Sequence, residues 1–414
     1  MLPDLFESIR VSFWMRLGLI LWLVLLAVVS VRATLAPRKN TVYPAYHAAG
    51  LHFKYYEDIY NQQDASKGID LFRYVPSFAA FMIPMTVLPE PLAGAFWRLL
   101  QGLTMLWVLV LIANRFWPEP TKKGLFLTLC VPLAVGSLNN GQVNPLLVVS
   151  LGLGLLCSLG GSWCLAGISI SLAVFLKVFP IAIALLFVLV GGWRLALGLV
   201  AGLVFTGCFG FFVGPWEYVL SQWSQWVDLL GRDNRSNWPI EAGYRDFWML
   251  LKIVGVNPPF WCYQCIQAGS GFALAVFVLW VSRNLGKSKG FLVAWGLGNC
   301  WMMVFGPTTE SSTYTLLAPV LAFAILESIS TRQNPRVLLP IGLAGILLFG
   351  AVFAGAFPIA GRLHAFGMQP IGTIFLAVGL VGLFLSPQFQ PFGTGLARGL
   401  SNCGFGDRSP QKTV

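Results

Sequence analysis

Apolar stretches recur along the whole chain, and this feature constrains the fold more than any other. Hydrophobic residues make up 57% of the 414 residues, whereas charged residues make up only 10%. Soluble domains carry about 25% charged residues. A chain that buried all these stretches in one aqueous core would keep too little polar surface to remain in water. The sequence therefore predicts an all-α integral membrane protein and excludes a soluble globular domain.

About twelve apolar segments are predicted to cross the membrane. Several are shorter than the ~20 residues that a spanning helix needs, so neighbours can merge or be broken, and we expect about 10 to 12 transmembrane helices. The first segment follows Arg10 and Arg16 and is interpreted as an uncleaved signal anchor. The segments are 17–31, 99–113, 125–137, 145–159, 165–176, 181–190, 195–213, 259–281, 291–305, 314–326, 338–357 and 371–385.

The distribution of Lys and Arg predicts the orientation, because cytoplasmic loops carry an excess of these residues. If the N-terminus is cytoplasmic, the basic groups around Lys122, Arg194 and Lys287 all fall in inside loops. We therefore predict a multi-pass protein of the plasma (inner) membrane, with both termini cytoplasmic and an extracytoplasmic active face. The net charge of +11 then reflects topology and contact with membrane lipids. Nucleic-acid binding would need a soluble basic face, so it is not expected.

The chain is interpreted as one multi-spanning membrane domain, 1–414, with two long extracytoplasmic loops. The first loop covers 32–91 and ends in a Pro-broken interfacial segment, and the second loop covers 214–258. Long ordered loops tend to carry function. Both loops combine aromatic and charged residues, which suit sugar rings and phosphates. The alternative is an aromatic belt at the membrane interface with solvated charges.

Three polar features stand at or near membrane depth, where polar groups are costly. The segment SLNNGQVNP, 137–145, is an amide-rich turn at a helix boundary. Lys177 lies in the apolar stretch LKVFP, where it can either snorkel to the headgroups or neutralise a lipid phosphate. Glu310 lies in GPTTESSTY between two apolar segments and is either a simple loop charge or a functional carboxylate.

The order of FRYVP, IPMTVLP with Trp97, NGQVN and LAVFLKVFP resembles glycosyltransferase family 87 over roughly 43–214. The resemblance implies a multi-spanning fold of the GT-C class and a transferase, in most members a mannosyltransferase. It also implies a polyprenyl-phosphate sugar as donor, and a lipid or glycan as acceptor. No cofactor is implied, and three His without paired Asp residues give no signal for a metal.

The resemblance implies a catalytic Asp in the first loop, a few residues before a Tyr and an Ala pair. Here the Tyr is Tyr46 and the pair is Ala48 and Ala49, so the Asp position falls at Val42. The sequence departs from the family pattern there, and another carboxylate must be the base if the chain is a transferase.

The chemistry of such an enzyme defines the candidate residues. A carboxylate must deprotonate the acceptor hydroxyl, and cations must stabilise charge on the departing lipid phosphate. Displacement by the acceptor oxygen from the opposite side would invert the anomeric centre. The candidate catalytic carboxylates are Asp58, Glu310 and Asp70. The candidate substrate-binding residues are Tyr46, His47, Arg73, Tyr74, Asn140, Gln142, Asn144 and Lys177.

Two other functions are compatible with the same pattern. A non-catalytic relative that binds polyprenyl phosphate would explain the missing first-loop Asp. A transporter or lipid flippase would also have about twelve helices, but such proteins tend to show internal repeats and ionisable groups at midplane. The two halves of this sequence show no convincing repeat.

Overall fold

The computed structural model describes residues 8–60, 69–232, 245–306, 309–354 and 357–390, and within these ranges the chain is helical and contains no strand. Nine helices, numbered here in chain order, come before the second loop. They are α1 Phe13–Leu35, α2 Tyr43–Lys54, α3 Pro76–Met82, α4 Glu90–Phe116, α5 Pro120–Asn140, α6 Asn144–Leu159, α7 Trp163–Leu176, α8 Ile181–Gly191 and α9 Trp193–Cys208.

Eight further helices follow. They are α10 Trp216–Arg232, α11 Phe247–Ile253, α12 Phe260–Asn284, α13 Lys287–Phe305, α14 Ala318–Ser330, α15 Pro335–Val352, α16 Pro358–Ala365 and α17 Met368–Leu385. Three 3-10 helices adjoin them: Ile83–Val87 after α3, Phe209–Phe212 after α9, and Ser311–Leu317 before α14.

Eight helical segments are long and apolar enough to cross a membrane, which confirms the all-α membrane fold. They are α1, α4, α5, α9 with its 3-10 extension, α12, α14 with the 3-10 helix before it, α15 and α17. Each of the other predicted spans also coincides with a helix. Of these, α6, α7 and α8 have 16, 14 and 11 residues, and α13 has 19. A total of ten to twelve spans stays a prediction.

The break between α7 and α8 has a local cause in Pro180. A proline ring clashes with the carbonyl four residues earlier and removes one hydrogen bond, so it kinks or breaks a helix. Accordingly α7 ends at Leu176 and α8 begins at Ile181. Lys177 is the first residue after α7, so its side chain leaves from a turn and not from a lipid-facing helix.

Close contact between α7 and α9 depends on glycine. A Cβ on Gly167 would stand 2.2 Å from the Leu195 carbonyl oxygen, and a Cβ on Gly198 would stand 2.1 Å from the Cys164 carbonyl oxygen. Small residues let helix backbones approach closely in membranes, where packing replaces the hydrophobic effect as the driving force. These glycines therefore fix how α7 and α9 cross.

The two long loops contain helices. The first loop forms α2 and α3, and the second loop forms α10 and α11, while 61–68 and 233–244 lie outside the described residues, as does the C-terminal segment 391–414. An aromatic cluster anchors the first loop on α4, with the Tyr46 ring centroid 5.3 Å from Phe78 and 6.2 Å from Trp97. The interpretation as one membrane domain stays a prediction.

Candidate active site

A polar cavity of about 310 Å³ collects residues from distant parts of the chain. It lies where the first loop, the turn after α5, the turn after α7, helix α10 and the loop after α13 meet. The residues that line it are Val42, Ala45, Tyr46, Asp70, Leu71, Arg73, Tyr74, Val75, Gln142, Phe175, Leu176, Lys177, Val178, Phe179, Trp226, Leu230 and Glu310. Seven of the eleven candidate residues are in this set.

Glu310 is oriented by a buried amide network. The Gln142 Nε2 amide donates a hydrogen bond to Glu310 Oε2. Gln142 Oε1 accepts hydrogen bonds from Asn144 Nδ2 at 2.6 Å and from Ser312 Oγ at 2.8 Å, and the Gln142 side chain is almost fully buried. Because both ends of the amide are engaged, Gln142 fixes one carboxylate oxygen of Glu310, and Glu310 itself lines the cavity.

Helix α4 holds the turn that presents Gln142. Trp97 Nε1 donates to the Gly141 carbonyl at 2.9 Å, and Gln101 Nε2 donates to the Gln142 carbonyl at 2.7 Å. The buried Arg98 guanidinium donates to the Asn139 carbonyl at 3.0 Å. Gly141 has a φ of 71°, a left-handed conformation that favours glycine. The NGQ motif is thus the fixed turn that aims the Gln142 amide.

Tyr46 and Tyr74 form a second polar group in the cavity wall. Their hydroxyl oxygens are 2.7 Å apart, and Tyr60 donates to the Tyr74 carbonyl at 2.7 Å. Burial raises the pKa of both Tyr46 and Tyr74 well above the ordinary value. These hydroxyls therefore remain neutral and can donate or accept hydrogen bonds to a polar ligand.

Two cations line the cavity. Arg73 Nη1 donates to Asp70 Oδ1 at 3.0 Å and to the Leu71 carbonyl at 3.0 Å, so Asp70 partly neutralises Arg73. Burial lowers the pKa of Lys177, and the negative charge of Glu310 opposes that effect. A cavity with Arg73, Lys177 and one well-oriented carboxylate suits a ligand that combines a phosphate with hydroxyl groups.

The other four candidate residues lie outside the cavity lining. Asp58 Oδ1 accepts the Tyr60 backbone N–H at 2.9 Å and so caps its own turn. His47 Nε2 is 3.3 Å from the Leu88 carbonyl oxygen, in a buried position. Asn140 Oδ1 accepts the Val42 backbone N–H at 3.0 Å. These three side chains thus contact backbone groups outside the cavity or behind its wall. Asn144 contacts the site through its hydrogen bond to Gln142.

Several cavity residues were not among the candidates. Trp226 and Leu230 come from α10, and Phe175 comes from the last turn of α7. Ser312, two residues after Glu310, holds the Gln142 amide from the other side. Ser312 could have been suspected from its neighbour Glu310, whereas nothing in the local sequence relates α10 to the first loop.

An apolar groove adjoins the polar cavity. It encloses about 410 Å³ between α3, α6, α7 and the end of α9. Phe175 and Leu176 line both spaces, so the two share a wall. The residues that line the groove are Phe81, Leu146, Val149, Ser150, Leu172, Phe175, Leu176, Phe205, Thr206 and Phe209.

Among the residues that the structure describes, no group of three or more His, Cys, Asp or Glu side chains could hold a metal ion.

The model of glycosyltransferase family 87 matches residues 72–284, slightly more than half of the chain. The chain belongs to glycosyltransferase family 87. The matched range contains Arg73, Tyr74, Gln142 and Lys177, whereas Glu310 lies beyond it. Neither the curated proteins nor the solved structures contain a match to this chain. The protein is therefore a membrane glycosyltransferase by family, and its donor, acceptor and catalytic base have to be argued from the site.

Proposed function

We propose that this protein transfers a hexose, with mannose the first choice, from a polyprenyl phosphate to an extracytoplasmic lipid or glycan, with inversion at the anomeric carbon. The observation that carries the proposal is the wall formed by Phe175 and Leu176, with a polar cavity on one side and an apolar groove on the other. A polyprenyl-phosphate sugar has the same division, with a polar head joined directly to an apolar chain.

The prenyl chain fits the apolar groove on chemical grounds. Nearly all lining side chains are aliphatic or aromatic, and Ser150 Oγ is engaged with the Leu146 carbonyl at 2.9 Å. A hydrocarbon chain can therefore enter without stranding a polar group, which would be costly in an apolar site. The phosphate then falls near Lys177, the first residue after the shared wall.

Lys177 and Arg73 supply the positive charge that the leaving group needs. As the bond from the anomeric carbon to the phosphate oxygen breaks, negative charge grows on the phosphate. Cations held in a cavity away from bulk water stabilise such charge more strongly than cations in solution. Asp70 is assigned to hold Arg73 in place and not to act as the base.

Glu310 is the proposed general base. Gln142 holds one carboxylate oxygen, and the other can accept the proton of the acceptor hydroxyl as its oxygen attacks the anomeric carbon. Val42, at the position where the family resemblance places an Asp, lines the same cavity as Glu310. A carboxylate from the loop after α13 thus faces the space that a first-loop Asp would face. Tyr46 and Tyr74 are assigned to sugar hydroxyls.

A valine at position 42, where the family resemblance places the catalytic Asp, also favours a second candidate function. In that case the protein binds polyprenyl phosphate without catalysis. A purified sample in lipid nanodiscs separates the two. We expect it to transfer label from polyprenyl-phosphate [14C]mannose to acceptors from its own membranes, and not from a nucleotide sugar. Donor binding without transfer would favour the non-catalytic reading. Transfer from the nucleotide sugar alone would refute the assignment of the groove.

The proposed setting is the plasma (inner) membrane, with both termini cytoplasmic and the polar cavity on the extracytoplasmic face. The short loops at the opposite end of the helices contain the basic groups around Lys122, Arg194 and Lys287, which supports this orientation. Reaction with water-soluble thiol reagents from one side of sealed vesicles tests it.

A further inference from the structure

Helix α10 presents three different faces, as a plot of its residues at 3.6 per turn shows. One face packs on the protein and contains Tyr218, Val219, Gln222 and Trp226. A second face is apolar yet exposed, with Trp216, Leu220 and Val227 exposed to 62%, 46% and 59%. The third face is polar and contains Glu217, Ser221, Ser224, Asp228 and Arg232. A helix in water needs only an inner and an outer face, so the exposed apolar face requires a third environment.

The packed face holds two parts of the first loop, 57–59 and Arg73, through hydrogen bonds between its side chains and the main chain of the loop. Tyr218 donates its hydroxyl to the Glu57 carbonyl at 2.7 Å, and Gln222 Oε1 accepts the Ile59 N–H at 3.1 Å. Trp226 Nε1 donates to the Arg73 carbonyl at 3.2 Å. The three side chains are four residues apart and so form one stripe on the helix. The first two bonds hold α10 against 57–59, which lies outside the cavity lining, and the third holds it against Arg73, which lines the polar cavity.

The exposed apolar face continues a surface that faces lipid. Along the membrane-spanning helix α9, Val204 and Phe205 are 59% and 64% exposed, and the surface extends through Phe212, at 76%, to Trp216. Val213, at 40%, is the exposed apolar residue between Phe212 and Trp216, and Leu220 and Val227 follow on α10. The occupant of the α10 apolar face is therefore the same lipid that surrounds α9.

We propose that α10 lies in the bilayer surface, with lipid on one face, water on another and the first loop on the third. Its bond from Trp226 to the Arg73 carbonyl positions the first-loop wall of the polar cavity, and its bonds to 57–59 hold it against the same loop. The donor therefore meets a cavity whose wall depends on membrane contact. This last step rests on the proposed function, whereas the position of α10 does not.

The polar face indicates which lipid property matters. Its charged residues are two acids and one base, and Arg232 Nη2 is 3.9 Å from Asp228 Oδ2. Such a face has no excess of positive charge to attract anionic lipids. Burial of the apolar face should therefore hold α10 in the surface equally in zwitterionic and in anionic bilayers.

Thiol labelling tests the position of α10 without any need for activity. The exposed or partly exposed Cys157, Cys164, Cys208, Cys262 and Cys265 are first replaced by Ser, as is Cys403 outside the described residues, and Val227→Cys or Ser224→Cys is then added. In nanodiscs of phosphatidylcholine or of phosphatidylglycerol, a water-soluble maleimide should label position 224 on the order of tenfold faster than position 227, because thiolate formation needs water. A fluorophore attached to either position before reconstitution should be quenched by a nitroxide on the lipid chains at position 227 and by aqueous iodide at position 224.

Each other result contradicts the proposal. Equal labelling of both positions by the water-soluble reagent would place the apolar face in water. Absence of quenching at position 227 by both the lipid nitroxide and iodide would show that protein and not lipid covers it. Labelling that differed between the two lipids would show that lipid charge holds the helix.

Matched charge substitutions test the link to the cavity. Val227→Glu should raise the KM for the polyprenyl-phosphate sugar roughly threefold to tenfold, since a charge on the lipid face disfavours its position. Ser224→Glu adds the same charge on the water face and should leave KM unchanged. An unchanged KM in Val227→Glu would refute the coupling to the donor. If the natural protein transfers no sugar at all, the proposed function fails while the labelling result still decides where α10 lies.

Discussion

Replacement of Glu310 by glutamine removes the proposed base with little change in shape. The new amide keeps an oxygen that can accept the hydrogen bond from Gln142, so the turn after α5 and the loop after α13 should stay in place. What is lost is the ability to take the acceptor proton. General bases contribute roughly 10²- to 10⁴-fold to rate, which corresponds to about 3 to 5 kcal/mol of the barrier.

We therefore expect Glu310→Gln to lower kcat by about 10²- to 10⁴-fold. The KM for the donor should change by less than about threefold, because the lost interaction forms in the transition state. The assay is transfer of labelled sugar in nanodiscs under single-turnover conditions. Thermal unfolding of the same sample, with a Tm close to that of the natural protein, checks that the fold is intact.

Two companion variants make the test specific. Asp58→Asn should keep near-natural kcat, because the Asp58 carboxylate caps a turn outside the cavity lining. Adding Val42→Asp to Glu310→Gln should restore part of the rate, because Val42 lines the same cavity. Full activity in Glu310→Gln together with loss of activity in Asp58→Asn would refute the assignment of the base.

Three further predictions follow from the described contacts. Lys177→Met should lower kcat/KM for the donor by about 10- to 100-fold, which corresponds to the loss of one hydrogen bond to a charged group. Lys287→Met, at the opposite end of the helices, should leave kcat/KM unchanged. Transfer kinetics of the two variants make the comparison. Burial raises the pKa of Asp246 from 3.8 to about 6, so between those values the folded protein holds a proton that the unfolded chain has released, and stability falls as pH rises through this window. Asp246→Asn should therefore raise Tm above pH 6 and lose this advantage near pH 4; an advantage that is the same at both pH values would contradict the reasoning. Gly198→Ala should destabilise by about 1 to 3 kcal/mol, because its Cβ would stand 2.1 Å from a carbonyl oxygen of α7, whereas Gly207→Ala on the same helix meets nothing within 4 Å and should leave Tm unchanged.

The sequence predicts the helices well because each depends on local information. Apolar runs mark the spans, and Pro180 marks the break after α7, where Lys177 lines the cavity. The gathering of Arg73, Gln142 and Lys177 was also predictable, since the family resemblance relates these motifs as a group.

The hydrogen bond between Gln142 and the Glu310 carboxylate was harder to predict. Gln142 and Glu310 are 168 residues apart, and their hydrogen bond depends on how several helices pack. Asp58 is also a carboxylate in a suitable loop position. Its side chain, however, accepts a hydrogen bond from the Tyr60 backbone N–H in its own turn. His47 likewise contacts its own loop, with Nε2 3.3 Å from the Leu88 carbonyl oxygen.

The role of α10 depends on exposure, which sequence alone does not give. The amphipathic pattern of 216–232 is visible, but an apolar stripe fits a protein core and a membrane surface equally well. Only the packed positions of Tyr218, Gln222 and Trp226 show which stripe meets the protein and which is left for lipid.

Photocrosslinking tests most directly whether the donor has its prenyl chain in the apolar groove and its sugar phosphate in the polar cavity. A polyprenyl-phosphate mannose with a diazirine on its first isoprene unit would be irradiated with the protein in nanodiscs, and the modified peptides would be identified by mass spectrometry. We expect modification within 172–176 or 205–209, and we expect an excess of donor without the diazirine to suppress it. Modification around Trp163 and Trp193, at the opposite end of α7, that an excess of donor without the diazirine suppresses would contradict this position of the donor.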